Sequence, residues 1–172
     1  ACENACRLRW GQPGLSTGHF GYGVGEGRLS FTTRTVVESR QVDGHKFPVK
    51  RQCMHCLDPA CVSACPVAAL HKTTRGSVVY DASRCLGCRY CMIACPFNIP
   101  RYEWHEGLTP RVGKCDFCDD RVATGLPPAC VAACPTGTLK FGKRADVIRE
   151  ARARMKAEPK RYVSIYGDKE VG

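Results

Sequence analysis

Fourteen cysteines in 172 residues far exceed ordinary globular usage. They fall into groups: Cys2 and Cys6; Cys53, Cys56, Cys61 and Cys65; Cys85, Cys88, Cys91 and Cys95; Cys115, Cys118, Cys130 and Cys134. Long stretches between the groups hold none. A disulfide framework spreads its half-cystines to staple distant loops, whereas closely spaced thiols come within reach of one small object. Pairing neighbours within a group would strain tight loops. The spacing points to thiolates that ligate an inorganic centre.

The third group, Cys85-Leu-Gly-Cys88-Arg-Tyr-Cys91-Met-Ile-Ala-Cys95-Pro96, matches the bacterial ferredoxin run C-x2-C-x2-C-x3-C-P at every position. Gly87 stands where the backbone must wrap closely around a 4Fe-4S cube. Three thiolates fold round one cube, and about 6 Å of helical rise carries the fourth cysteine toward a second. Cys53-x2-Cys56-x4-Cys61-x3-Cys65-Pro66 supplies the partner, and Cys115-x2-Cys118-x11-Cys130-x3-Cys134-Pro135 repeats the logic with a long insertion. Paired CxxC motifs also describe a tetrahedral zinc site. Zinc, however, does not call for the C-x3-C-P ending, which recurs as an internal repeat at 60–66, 90–96 and 129–135.

The fourth-cysteine rule gives definite ligand sets. Cys53, Cys56 and Cys61 go with Cys95; Cys85, Cys88 and Cys91 go with Cys65; Cys115, Cys118 and Cys130 go with Cys6. Ala1-Cys2-Glu-Asn-Ala-Cys6-Arg7 has the A-C-x-x-A-C form of the other copies, with Arg7 in place of proline. Cys2 and Cys6 therefore read as third and fourth ligands of a motif whose first two cysteines lie upstream of Ala1. Those two, with Cys2 and Cys134, would hold a fourth cluster.

Net charge is +10, from 26 Lys and Arg against 16 Asp and Glu, which alone raises nucleic acid or an anionic surface as a partner. Each oxidised cube with four thiolates carries about −2, so three or four of them add roughly −6 to −8 and bring the loaded protein near neutrality. No basic stripe interleaved with aromatics accompanies the charge, so nucleic acid is not an expected partner. Lys50, Arg51, Arg84, Arg89, Lys114 and Arg121 flank or lie inside the cysteine groups, where positive charge either tunes reduction potential or faces solvent. No run approaches 18 consecutive apolar residues, so this segment does not itself span a membrane.

The elements that must position these thiols are slight. The 44% hydrophobic content counts the cysteines; about 36% without them is thin for one large core. Gly11 to Gly27, with seven glycines, reads as a loop without a nucleotide fingerprint. Leu29 to Val42, the turn Asp43-Gly44 and Phe47 to Val49 predict a hairpin. Gly76 to Asp81 predicts a short strand, and Ala145 to Ala157 a helix with Ile148, Ala151 and Met155 on its packed face, stopped by Glu158-Pro159. Of His19, His45, His55, His71 and His105, none has zinc-enzyme spacing. His55 lies between two ligands and reads either as a hydrogen-bond donor to a cluster sulfur, as a face toward a redox partner, or as an exposed filler. Met54, Tyr90 and Phe97 read as side chains that exclude water. No nucleophile-base constellation stands out, so no autonomous catalytic site is expected.

The runs from Arg51 to Pro66 and from Arg84 to Phe97 resemble the four-cluster iron-sulfur subunits of membrane-bound respiratory oxidoreductases, in the branch that serves nickel-iron hydrogenases and formate dehydrogenases. The tail Ile165 to Gly172 resembles that branch too. The resemblance implies an α+β fold of two ferredoxin-like bicluster units with long inserted loops and a small core organised around the clusters. The central unit would span 50–100; the second would combine 1–49 with 101–142; a helix and tail would occupy 143–172. It further implies four 4Fe-4S clusters that relay electrons between a catalytic subunit and a quinone-reactive integral membrane subunit, on the periplasmic or exoplasmic face of the membrane, with the cytoplasmic face as the alternative. A stand-alone polyferredoxin shuttle is the alternative, though such a protein would not need the long inserts.

Overall fold

Proline decides how long the cysteine-bearing helices are. In the computed structural model, which describes residues 1–12, 28–104, 109 and 111–168, three C-x3-C runs form single turns: α2 (Ala60–Ser63), α3 (Tyr90–Ala94) and α5 (Ala129–Ala132). Pro66, Pro96 and Pro135 follow the last cysteine of each and prevent continuation. The first copy has Arg7 in that place, and its helix α1 runs on over Cys2–Arg9. The sequence reading carries no helix past Cys6; the missing proline is the reason one forms.

Each proline also opens the same tight turn. The residue two beyond it has a positive φ, at Ala68 (51°), Asn98 (51°) and Gly137 (60°). Its N–H donates back to the cysteine carbonyl: Ala68 to Cys65 at 3.2 Å, Asn98 to Cys95 at 3.0 Å and Gly137 to Cys134 at 3.3 Å. The repeat seen in the sequence is therefore a repeat of backbone geometry. Burial follows it: the pattern from Cys61 to Leu70 recurs residue by residue from Cys91 to Pro100.

The strands form three separate antiparallel hairpins. β1 (Val36–Val42) pairs with β2 (His45–Arg51) across the Asp43-Gly44 turn, in the register Val42 to His45. The predicted strand is β4 (Val78–Tyr80), and it pairs with β3 (Leu70–Lys72), which follows the second cysteine group. β5 (Arg101–Tyr102) occupies the equivalent place after the third group and pairs with β6 (Val112–Gly113). α4 (Asp119–Ala123) follows Cys118, and α6 (Arg144–Ala157) is the predicted C-terminal helix, ending at Glu158. Val147, Ile148, Ala151 and Met155 are its half-buried face, while Arg149, Arg152 and Lys156 are exposed.

The core is small and cysteine-bearing. Leu70, Val78 and Val112 pack with Cys61 and Cys91 in one cluster; Leu29, Val36 and Ile99 pack with Cys53, Cys95 and Phe97 in another. Among the described residues no helix is long and apolar enough to cross a membrane. From residue 13 on, the glycine-rich loop lies outside the described residues, as do His19, His105 and 169–172.

Candidate metal centres

The first C-x-x-C loop of each complete group bends through a left-handed residue at its second intervening position: His55 (φ 50°), Gly87 (72°) and Phe117 (65°). That conformation costs a non-glycine residue roughly 1–2 kcal/mol, so two of the three loops are held by their surroundings. It turns backbone N–H groups onto sulfur: Gly87 N–H donates to Cys85 Sγ and Phe117 N–H to Cys115 Sγ, each at 3.4 Å. Donors aimed at sulfur stabilise thiolates and cluster sulfides alike.

Thiols of different motifs lie close to one another. Cys61 is buried, and its thiol is pushed up to about 11, first by burial and then by the charges of Cys53, Cys95 and Cys56 once Lys114 has drawn it down. Cys91 is likewise pushed up to about 11 by burial, with Cys61, Cys65, Cys85 and Cys88 adding to it. Cys6, carried by α1 against α5, reaches about 11 through burial and through Cys118 and Cys130. One cavity is lined by Cys65, Cys85, Cys88 and Cys91, and another by Cys6, Cys115, Cys118 and Cys130. The sets also touch one another electrostatically, since Cys91 feels Cys61, and Cys115, pushed up to about 12 chiefly by burial, feels Cys53. The thiols of the second group thus adjoin those of both the third and the fourth.

Cys2 and Cys134 are outside these three sets. Burial raises the Cys2 thiol against the pull of Lys50. Cys134 is lowered to about 7, chiefly by the Leu139 N–H and then by the Thr136 hydroxyl. A thiol so supplied with donors suits metal ligation.

The donor chemistry fits 4Fe-4S cubes. Buried thiols with mutually raised affinities for protons ionise together only around a strongly cationic core, which iron supplies. Among the described residues no three His, Cys, Asp or Glu side chains converge closely enough to hold a single ion. Buried N–H donors without partners accompany the thiols, including Arg9 Nε, Arg34 Nε and His55 Nε2; sulfides of a cube are acceptors for such groups.

Several neighbours depart from their sequence reading. His55 is no exposed filler: it is buried, its Nδ1 accepts the Val78 N–H at 2.9 Å, and its ring lies 4.6 Å from that of Phe117. Met54 and Tyr90 are 39% and 57% exposed and shield little, whereas Phe97 packs beside Cys53 and Cys95. Lys114 is buried, donating from Nζ to the carbonyls of Val78 and Cys115. Arg89 stacks on Tyr102 and Trp104 at 5.5 and 5.2 Å. Lys72, which the sequence does not single out, donates to the carbonyls of Cys56, His55 and Gly76 and so fixes the first C-x-x-C loop. Its position two residues after Leu70, the hairpin's first buried residue, carries no distinguishing signal.

A profile for the 4Fe-4S dicluster domain matches residues 45–144, more than half of the chain. The chain belongs to this dicluster family. The hydrogenase-2 operon protein HybA of Escherichia coli O157:H7 is 37% identical over 169 residues, covering 83% of this dicluster chain and 51% of HybA. The iron-sulfur subunit of the nitrate-inducible formate dehydrogenase of E. coli K12 is 36% identical over 181 residues, 100% of this chain and 60% of that subunit. The thiosulfate reductase electron transfer subunit PhsB of Salmonella typhi is 39% identical over 186 residues, 99% and 86% of the two chains. The dicluster chain thus spans about half the length of HybA. The resemblance read from the cysteine runs is borne out, and 4Fe-4S is the cofactor.

Proposed function

We propose that this dicluster chain is a non-catalytic electron-transfer subunit that relays single electrons through four 4Fe-4S clusters. It links a catalytic oxidoreductase subunit, a hydrogenase or a molybdenum or tungsten enzyme such as formate dehydrogenase, to a quinone-reactive membrane subunit. The observation that carries this reading is the adjacency of thiols from different motifs, Cys91 near Cys61 and Cys115 near Cys53. Adjacent centres are what a relay requires. Residues 50–100 make up the central bicluster unit, 1–49 with 101–142 the second, and 143–172 a C-terminal helix and tail. All fourteen cysteines serve as ligands, Cys2 and Cys134 together in the fourth cluster. The relatives' names point to the class of partner, and the resemblance to the hydrogenase and formate dehydrogenase branch favours the periplasmic or exoplasmic face over the cytoplasmic one.

Anaerobic isolation of the native complex tests this. About sixteen irons per copy, four for each cube, together with a co-purifying catalytic subunit whose substrate bleaches the cluster absorbance, is the expected result. A chain that purifies alone from the soluble fraction overturns the subunit reading. Protease protection in intact cells against inside-out vesicles decides the face.

A further inference from the structure

The set Cys6, Cys115, Cys118 and Cys130 shares its cavity with Trp10, Thr35 and Lys50. Trp10 lies between two guanidinium groups: Arg34 Cζ is 3.3 Å from its ring centroid and Arg9 Cζ 4.4 Å. The two arginines are not equivalent. Arg9 pairs with Asp116 at 3.3 Å and with Asp120, so its charge is answered by carboxylates. Arg34 has no ion pair among the described residues; Nη1 donates to the Lys114 carbonyl at 3.3 Å, and Nε is buried with no partner. Asp116 attracts Arg34 from a distance, and the remaining anionic groups that face it are Cys6 and Cys115.

We infer that Arg34, clamped on the face of Trp10, is the positioning residue that raises the reduction potential of the cluster held by Cys6, Cys115, Cys118 and Cys130 above what its ligands alone would set. The inference rests on the ligand reading given above. Reduction adds one electron to the centre and neither makes nor breaks a bond. A fixed cation at short range in a poorly screened site stabilises that extra negative charge. Guanidinium keeps its charge under all physiological conditions, and an aromatic face holds it without neutralising it, as a carboxylate would. Arg34 lies in the segment after the glycine-rich loop, outside every cysteine motif, which is why motif spacing gives no hint of it.

The test is an EPR-monitored redox titration of the iron-loaded, full-length protein. Arg34→Met is expected to keep its iron and to lower one midpoint by at least a tenfold change in the reduction equilibrium, about 59 mV for one electron, leaving the other midpoints in place. Arg34→Lys, which keeps the charge, is expected near wild type, and Arg154→Gln, on the exposed face of α6, is expected to move nothing. Unchanged midpoints in Arg34→Met, or equal shifts in Arg34→Met and Arg34→Lys, overturn the inference. If Arg34→Met loses iron, Trp10→Leu releases the clamp instead: a lowered midpoint there beside a wild-type Arg34→Lys supports the role, and an unchanged one overturns it. Cys118→Ser separates the two readings. It must alter the same signal that Arg34→Met shifts; if another signal changes, the ligand assignment has failed, even where the charge effect is real.

Discussion

The Nδ1 of His55 accepts the Val78 N–H at 2.9 Å, across 23 residues of chain. The bond ties the first C-x-x-C loop to β4, and the ring contact with Phe117 ties it to the loop of Cys115 and Cys118. One imidazole therefore braces two ligand loops from two different cysteine groups. Because Nδ1 is the acceptor, the ring is neutral and carries its proton on Nε2.

Burial, reinforced by Lys114 and Lys72, lowers His55 to about 3. An unfolded histidine titrates near 6.5. Between these values the unfolded chain binds a proton that the folded chain refuses, so stability rises with pH up to about 6.5 and is lost progressively below it. His55→Gln keeps an acceptor for Val78 without titrating. Its melting temperature, followed by cluster absorbance from pH 7 to 5, is expected to fall less steeply than that of wild type; parallel curves would rule the brace out as a titrating element.

A second prediction concerns Gly113. A Cβ there would meet the Phe31 carbonyl oxygen at 2.1 Å and the Phe31 Cα at 2.6 Å. These are backbone atoms, which cannot swing aside. Gly113→Ala is expected to destabilise the holoprotein by about 1–3 kcal/mol or more, measured by chemical denaturation, with accelerated iron loss from the set that includes neighbouring Cys115.

Much of this architecture is legible in the cysteine spacing because a cube fixes the geometry of its own loops. The hairpin at 36–51 and the helix at 144–157 were legible for ordinary reasons, a turn dipeptide between β-branched runs and a helical stripe. Within the cysteine groups, the left-handed residue that the sequence marks is Gly87. His55, Phe117, Ala68 and Asn98 adopt the same conformation without glycine's freedom, and only superposing the motif copies would reveal them. The Arg34–Trp10 stack depends on contact between residues far apart in the chain, and no local pattern encodes it.

The scant core leads to a third prediction. Ten buried hydrophobic residues, three of them cysteines, make up the described core, and cluster binding therefore supplies much of the folding free energy, as in other metal-dependent domains. Removing iron by chelation under oxidising conditions is expected to abolish cooperative thermal unfolding by circular dichroism. An apoprotein that melts like the holoprotein would contradict this.

The final prediction separates crossed ligation from ligation within each motif. Cys95 closes the third motif in sequence, yet its charge is felt by Cys56 and Cys61 of the second. Cys65 closes the second motif, yet Cys91 of the third feels it. The single-turn helices explain the exchange: α2 and α3 pack together, and each carries its last cysteine past its own loop to the neighbour's. Cys95→Ser should therefore disturb the same EPR signal as Cys56→Ser, and Cys65→Ser the same signal as Cys88→Ser. Pairing the variants in double substitutions sharpens the reading. Cys56→Ser with Cys95→Ser should remove one cluster, about four irons, whereas Cys56→Ser with Cys65→Ser should damage two. If instead Cys56→Ser with Cys65→Ser costs a single cluster and Cys56→Ser with Cys95→Ser costs two, each motif closes on itself and the crossed arrangement is wrong.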